Sequence, residues 1–564
     1  MLHLIRQFYL AILFFGAFSL WAGPHETLEE YIELADNSYE WSIESVEEFG
    51  ELKHIVVDLK SQRWRDKNTV DRPIWQHWMR IYVPDEPAEN VAMIFIGGGK
   101  NQTEAPTEVL TDFAKLAKDS QTIVVYLGQV PNQPLMFDGN AFPIREDALV
   151  AYSWKQYLET GDHTWIVNLP MVKSVVKAMD ATTELLSTEK AGEYKINEFV
   201  VSGGSKRGWT AWLTTAMDKR VIATIPIVFD ALKFEDSLHN HFKSYGYWSP
   251  ALADYASEGL LRKLGTEEAQ DLFLITDPYE FRDRLTVPKY LVNSAGDEFF
   301  PVDSAQYYFD ELQGDKYLRY IPNTDHSLNQ SDINQSLATF LWLIANKKEI
   351  PSFEWSWKDK NISVSNFQGS VLEVNLYEAF NQHGRDFRLL PASDETPTPR
   401  GTTWTKTDQS DTKDDNEVLF DLQWNLKDRE SGWHAGFVEV VFDVGFTYPF
   451  RLTTNVKVSP DDRPFEHKDH RAENYVTIHC GSLDEDVSTS VINHLKNDVG
   501  TEYAEYQVSN DRDYYTWLPV QDMRIEGRKV GAFLESLGYQ EEACLFQIES
   551  GPKPTILENQ EDGD

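Results

Sequence analysis

Positive charge is what this sequence most lacks: 52 lysines and arginines stand against 91 aspartates and glutamates, a formal net charge of −39. With no basic stripe to displace counterions from phosphates, nucleic-acid binding is excluded. The acidity serves solubility and is compatible with cationic ligands. Long apolar runs are also missing after the N-terminus, so no membrane span is expected in the body of the chain. The one early run, Phe8 to Trp21, is about 14 residues long, follows Arg6 and ends at Ala22 and Gly23. It is too short to span a bilayer comfortably and reads as a secretion signal over residues 1–22. The expected product is periplasmic or secreted, with no stable membrane anchor after cleavage. No cysteine lies near the cleavage region, which argues against lipoprotein processing. Metal spacing is absent too: there is no His-x-x-x-His helix, and His239 and His241 are spaced as on a strand. The run Gly97-Gly98-Gly99 lacks the Walker spacing and Lys-Ser/Thr ending of a phosphate cradle. There is no internal repeat, and no metal or cofactor is expected.

What is present divides into several domains, since 564 residues exceed one core. Between residues 23 and 350, short apolar strands alternate with amphipathic helices, the pattern of an α/β fold with a mostly parallel sheet covered on both faces. Strands are predicted at 78–83, 91–96, 123–126, 198–202, 223–229, 290–294 and 317–321. Helices are predicted at 108–119, 147–159, 172–186, 207–217, 304–311 and 330–345. The aromatic-rich excursion at 231–285 is too long for a simple connection and is expected to cap the site. Residues 351–460 read as an all-β, sandwich-like module, with strands at 362–365, 371–376, 418–424, 436–444 and 450–458, and 392–417 as a long surface loop. Residues 461–564 run β-α-β-β-α-β, the ferredoxin-like α+β order, with helices near 487–497 and 527–537.

The chemistry concentrates at Val200-Val201-Ser202-Gly203-Gly204-Ser205-Lys206-Arg207-Gly208. An apolar strand runs into small residues, a serine and then a helix, as a nucleophile elbow requires. The motif departs from G-x-S-x-G because position 207 is Arg and the second glycine comes one residue later. An ordinary strand–helix turn has the same local appearance, so the partners decide. The α/β-hydrolase chain order is Ser, acid, His. Asp297 ends one strand on a Gly-preceded turn, and His326 ends the next, both at carboxyl strand ends where open α/β sheets place their sites. Asp230 is an alternative acid, ending the strand after the nucleophile. Lys206, following the nucleophile, and Gly98, in the glycine run, are expected to supply the oxyanion-hole N–H groups. Basic Lys206 and Arg207 are misplaced at a helix N-terminus, which suggests that they anchor the elbow or bind a substrate carboxylate. In the cap, Tyr245, Tyr247 and Trp248 are expected either to face the substrate pocket or to fill the cap's own core.

Several unusual strings carry a resemblance: Gln62-Arg63-Trp64, Val70-Asp71-Arg72-Pro73-Ile74-Trp75-Gln76-His77-Trp78, Pro131-Asn132-Gln133-Pro134-Leu135, Arg145-Glu146-Asp147-Ala148-Leu149, Leu169-Pro170-Met171-Val172-Lys173, Ser205-Lys206-Arg207-Gly208-Trp209-Thr210 and Tyr245-Gly246-Tyr247-Trp248-Ser249-Pro250. With them, residues from about Leu28 to beyond Phe353 resemble the PhoPQ-activated pathogenicity-related protein family. The resemblance implies an exported α/β-hydrolase-like protein associated with virulence and resistance to cationic antimicrobial peptides. It implies no particular substrate.

The sequence is therefore read as an exported serine hydrolase that cleaves an ester or amide, a peptide or ester small molecule, through an acyl-enzyme. Ser205 is the nucleophile, His326 the base and Asp297 the orienting acid. The rival reading is a non-catalytic binding protein on a hydrolase scaffold that sequesters cationic peptides. In the ferredoxin-like reading the last four strands lie in the spatial order fourth, first, third, second. That order brings the only two cysteines, Cys480 and Cys544, to the same end of adjacent strands. A disulfide there closes a loop of about 64 residues.

Overall fold

The computed structural model describes residues 24–140, 142–358, 361–382, 384–390, 400–408, 417–421, 432–467 and 469–470, together with the strands at 474–480, 505–508, 514–519 and 544–550. The secretion signal expected at 1–22 lies outside them.

The strands in chain order are β1 (Glu40–Phe49), β2 (Leu52–Arg63), β3 (Ile74–Pro84), β4 (Asn90–Ile96), β5 (Ile123–Leu127), β6 (Ile196–Gly204), β7 (Val221–Ile227), β8 (Tyr247–Trp248), β9 (Lys289–Ser294) and β10 (Lys316–Ile321). The helices are α1 (Pro24–Glu33), α2 (Thr111–Ser120), α3 (Asp147–Thr160), α4 (Asn168–Leu186), α5 (Lys206–Met217), α6 (Phe234–Tyr245), α7 (Ala253–Ser257), α8 (Glu267–Thr276) and α9 (Ile333–Ala345). Nine strands form one sheet in the order β1-β2-β3-β5-β4-β6-β7-β9-β10. From β5 to β10 every neighbouring pair is parallel, whereas β1, β2 and β3 meet their neighbours antiparallel.

Alternation along the strands sorts the core into two layers. On β4, Ala92, Ile94 and Ile96 join the apolar layer under α3, α4 and α5. Val91 and Met93 join the layer under α2 and α9. Such strands are buried on both faces, which is why they read as continuous apolar runs rather than as alternating ones. The β1–β2 hairpin was not among the predicted strands. β1 is polar and largely exposed at the sheet edge, so it carries little hydrophobic signal. The predicted helix at 304–311 is two short 3-10 turns, Ser304–Tyr307 and Phe309–Glu311.

Beyond α9 lie β11 (Ser352–Lys358), β12 (Asn361–Gln368), β13 (Ser370–Asn381), β14 (Leu389–Leu390), β15 (Arg400–Gly401), β16 (Thr405–Asp408), β17 (Glu417–Asp421), β18 (Trp433–Asp443), β19 (Phe450–Thr453) and β20 (Lys457–Ser459). They form one sheet β11-β12-β17, another β16-β13-β18-β19 with β20 also on β18, and a two-stranded ribbon β14-β15. Their apolar residues, among them Val364, Val374 and Phe442, continue the layer under α2 and α9. Two readings change here. The predicted loop at 392–417 contains β15 and β16, and β16 is recruited by edge pairing with Asn375–Glu378. The predicted strand at 450–458 is broken into β19 and β20.

The final strands are β21 (Asn474–Cys480), β22 (Glu505–Val508), β23 (Tyr514–Pro519) and β24 (Cys544–Ser550), in the order β22-β23-β21-β24-β8. Cys480 is the register partner of Cys544. The cysteine side chains and the helices expected at 487–497 and 527–537 lie outside the described residues. Through β8 the cap contributes an edge strand to this sheet, with Trp248 opposite Ile548.

Candidate active site

Ser205 stands between β6 and α5 with φ 57° and ψ −128°. Such a conformation is costly for a residue with a β-carbon, about 1–3 kcal/mol, and persists only where the surroundings enforce it. Here they do. Its N–H donates to the Ile227 carbonyl at 2.8 Å, and its carbonyl accepts from Trp209 N at 2.9 Å. The flanking glycines are sterically required. A β-carbon on Gly203 would sit 2.7 Å from the Arg207 carbonyl oxygen, and one on Gly208 would sit 2.9 Å from the carbonyl oxygens of both Gly203 and Ile227. Gly208 thus brings α5 against the backbones of β6 and β7, despite its shifted place in the motif.

The basic pair after the serine is matched by an acidic pair. Arg207 reaches both carboxylate oxygens of Glu146 at 2.8 Å and donates from Nε to the Val130 carbonyl at 2.6 Å. Lys206 Nζ lies 2.9 Å from Glu146 and 2.9 Å from Asp147. Burial raises the Glu146 pKa, but Arg207 and Lys206 outweigh it and hold the carboxyl well below the usual range. Glu146 shares the serine's unusual backbone, with φ 55° and ψ −136°, and its own N–H donates to Gln133. Of the two roles considered for these cations, the geometry supports anchoring. Tyr255 of α7 donates to Asp147 at 3.0 Å and ties the cap to the same cluster. Glu146, Asp147 and Tyr255 were missed from sequence; the first two left a signal as an acidic pair inside one of the distinctive strings, and Tyr255 left none.

The glycine run leaves β4 beside the elbow, because Ile96 is the register partner of Gly203. Gly98 packs on the Arg207 guanidinium, where a β-carbon would lie 2.7 Å from Nη2. Its carbonyl accepts from Gln129 N at 2.8 Å. Lys206 is the first residue of α5, so its N–H has no partner within the helix.

Asp297 and His326 follow β9 and β10, which are parallel neighbours. His326 Nδ1–H donates to Asp297 Oδ2 at 2.8 Å, while Asp297 Oδ1 accepts from Phe299 N at 2.8 Å. Glu298 accepts the His326 backbone N–H at 3.0 Å. Burial disfavours the imidazolium, but the charge and hydrogen bond of Asp297 outweigh it and raise His326 above its ordinary value. His326 Nε2 is buried and makes no hydrogen bond. It lines a cavity of about 280 Å³ together with Gly204 and Ser205. The serine and histidine therefore share one cavity without a closed Oγ–Nε2 hydrogen bond.

Asp230, the alternative acid, is elsewhere engaged. It accepts from the Tyr308 and Tyr320 hydroxyls at 2.5 and 2.6 Å, and burial pushes its carboxyl up to about 7. The strand before it ends at Ile227, two residues earlier than predicted, and the imidazole is hydrogen-bonded to Asp297, not to Asp230. The loops carrying Asp297 and His326 are braced by residues from the β module. Leu389 N donates to Gly296 O at 2.7 Å, Trp404 Nε1 to Ala295 O at 3.2 Å, and Asn323 makes two hydrogen bonds with the Trp404 backbone.

The cap covers Ser205, but not with the aromatic residues proposed for the pocket. Trp248 is fully buried against His241 and Phe242 in the cap's own core. The Tyr245 ring faces the Arg388 guanidinium at 4.1 Å, and the Tyr247 hydroxyl accepts from Arg388 at 2.6 Å. The strand pairing of β8 and the Arg388 contacts hold these rings away from the cavities that open on Ser205. Among the described residues, no group of three or more His, Cys, Asp or Glu side chains is placed to hold a metal ion, and no helix is long and apolar enough to cross a membrane.

The family model of the PhoPQ-activated pathogenicity-related protein matches residues 28–388. The chain belongs to this family. Among curated proteins, autocrine proliferation repressor protein A of Dictyostelium discoideum is 33% identical over 459 residues, 78% of this chain and 91% of that protein. The PhoPQ-related chain is also similar to solved esterases. Acetyl xylan esterase 1 from Thermoanaerobacterium sp. JW/SL YS485 matches with a TM-score of 0.40 at 12% identity, over 57% of this chain and 92% of that one. An S-formylglutathione hydrolase from Agrobacterium tumefaciens matches with a TM-score of 0.34 at 16% identity, over 54% and 98% of the two chains.

Proposed function

We propose that this chain is a serine hydrolase that cleaves an ester or amide through an acyl-enzyme on Ser205. The observation that carries the reading is the unpartnered, buried His326 Nε2 in the cavity that Ser205 also lines, with Asp297 fixed on the other ring nitrogen. A base must present one nitrogen to the nucleophile while the other is held by a carboxylate that selects its tautomer.

In this mechanism His326 Nε2 takes the proton from Ser205 Oγ as Oγ attacks the substrate carbonyl carbon. The carbonyl π electrons move to oxygen, which is received by the N–H groups of Lys206 and Gly98. Collapse of the tetrahedral species expels the leaving group, which takes the proton from His326. Water then repeats the sequence and releases the acid, regenerating Ser205. Asp297 orients the ring and stabilises the transient imidazolium. Residues 1–22 direct the protein to the periplasm or outside the cell, where a peptide or ester small molecule is the substrate.

Trapping the intermediate tests the reading. Rapid acid quench of the protein with p-nitrophenyl acetate, followed by peptide mass spectrometry, is expected to find an acetyl group on Ser205. Turnover with no acetyl on Ser205 in any quench, or acetyl only on another residue, would refute it.

A further inference from the structure

Two cavities meet at Ser205, and they differ in character. The one beneath the cap is lined almost wholly by apolar side chains, among them Trp209, Leu238, Leu252, Leu272, Phe273 and Phe300. Three of its four charged or hydroxyl-bearing liners other than Ser205 are already committed to one another: Lys206 to Asp147, and Tyr255 to Asp147. Only Lys263 stands outside this cluster, so a hydroxylated group entering there would lose more hydrogen bonds to water than it regains. His326 does not line this cavity. The second cavity contains His326 with Ser327, Asp112 and Asn334, and is the more polar of the two.

Resting on the Ser205 reading, this asymmetry orients the substrate. The histidine that takes the serine proton must hand it to the leaving atom, so the leaving group lies on the His326 side. The acyl group then falls on the other side of Ser205, under the cap. We propose that the cap cavity is an acyl pocket for an apolar, unglycosylated acyl group, and that the polar cavity seats the alcohol or amine that leaves. The substrate class is thus an ester or amide of an apolar acid.

The test is kcat/KM on p-nitrophenyl esters from acetate to octanoate, run beside labelling with diisopropyl fluorophosphate. The expected result is a rise of about fourfold per methylene over the first several carbons, the equivalent of about 0.8 kcal/mol for each buried methylene. Narrowing the pocket with Leu238→Trp is expected to lower the octanoate-to-acetate ratio at least tenfold. Leu252→Phe serves the same purpose if the first variant does not fold, and labelling of each variant reports an intact Ser205. A flat or falling chain-length profile in protein that labels at Ser205 overturns the acyl-pocket assignment alone. An unchanged ratio in a labelled pocket variant does the same. Failure of folded wild type to label overturns the serine-hydrolase reading on which it rests.

Discussion

Replacing each elbow glycine by alanine separates packing from mere flexibility. A methyl at Gly208 would meet the carbonyl oxygens of Gly203 and Ile227 at 2.9 Å and Ile227 N at 3.2 Å, where ordinary contact begins at 3.4 Å. A methyl at Gly203 would meet the Arg207 carbonyl at 2.7 Å. These are backbone atoms of hydrogen-bonded strands and of the first turn of α5, so neither side yields cheaply and α5 must lift by roughly half an ångström. Overpacking of this kind costs about 1–3 kcal/mol. In a domain of this size it should lower Tm by about 1.5–4 °C. The same lift displaces Ser205 Oγ and the Lys206 N–H together, so kcat/KM should fall on the order of tenfold or more. Gly204 is the internal control, because a methyl there meets nothing within 4 Å. Gly204→Ala should stay within about 0.5 kcal/mol of wild type in stability. Calorimetry on the three variants decides the matter. The reasoning is refuted by wild-type Tm and rate in Gly208→Ala, or by Gly204→Ala unfolding as readily as the other two.

Hydrolysis requires neutral His326, and Asp297 holds that imidazole above its ordinary value near 6.5. The acid limb of kcat/KM should therefore lie above pH 6.5, and Asp297→Asn should move it down and cut kcat on the order of 10³–10⁴-fold, read from a pH–rate profile. Asp303, buried against Arg385, has its carboxyl lowered to about 2 from 3.8, with burial opposing and Arg385 prevailing. That depressed value stabilises the fold by about 2 kcal/mol above pH 4, an effect lost as the pH falls towards 2. Asp303→Asn should cost about 3 kcal/mol in urea denaturation at pH 7 by leaving Arg385 unpaired, and a midpoint unchanged from wild type would contradict this. Cys480 and Cys544 are register partners on β21 and β24, so we expect a disulfide worth about 4 kcal/mol. Thiol titration of denatured, unreduced protein should then find no free thiol, and finding two rules the bridge out.

Local features were legible where local physics dictates them. The elbow could be read because a strained strand-to-helix turn admits only small neighbours, and Gly203 and Gly208 meet each other's turn within five residues, with Ile227 of the next strand closing on Gly208. The parallel strands were legible because burial on both faces leaves uninterrupted apolar runs, and their carboxyl ends then located Asp297 and His326. Glu146 and Asp147 were not, since their partnership with Lys206 and Arg207 spans about sixty residues and leaves no periodic trace. The cap was visible as an insertion, but which of its rings face the cavity depends on β8 pairing with β24 and on Arg388, both far away in sequence. Composition favoured its tyrosines and tryptophan, whereas the cavity is lined mainly by leucines and phenylalanines. The bracing of the Asp297 and His326 loops by Leu389 and Trp404 was equally hidden, because it joins segments that read as separate modules.

The most direct test of the central claim is covalent labelling with a fluorophosphonate probe on folded wild type, Ser205→Ala and His326→Ala. Wild type should label once, on the peptide containing Ser205; Ser205→Ala should not label, and His326→Ala should label far more slowly. Folded wild type that resists the probe, or Ser205→Ala that labels as wild type does, would contradict the account.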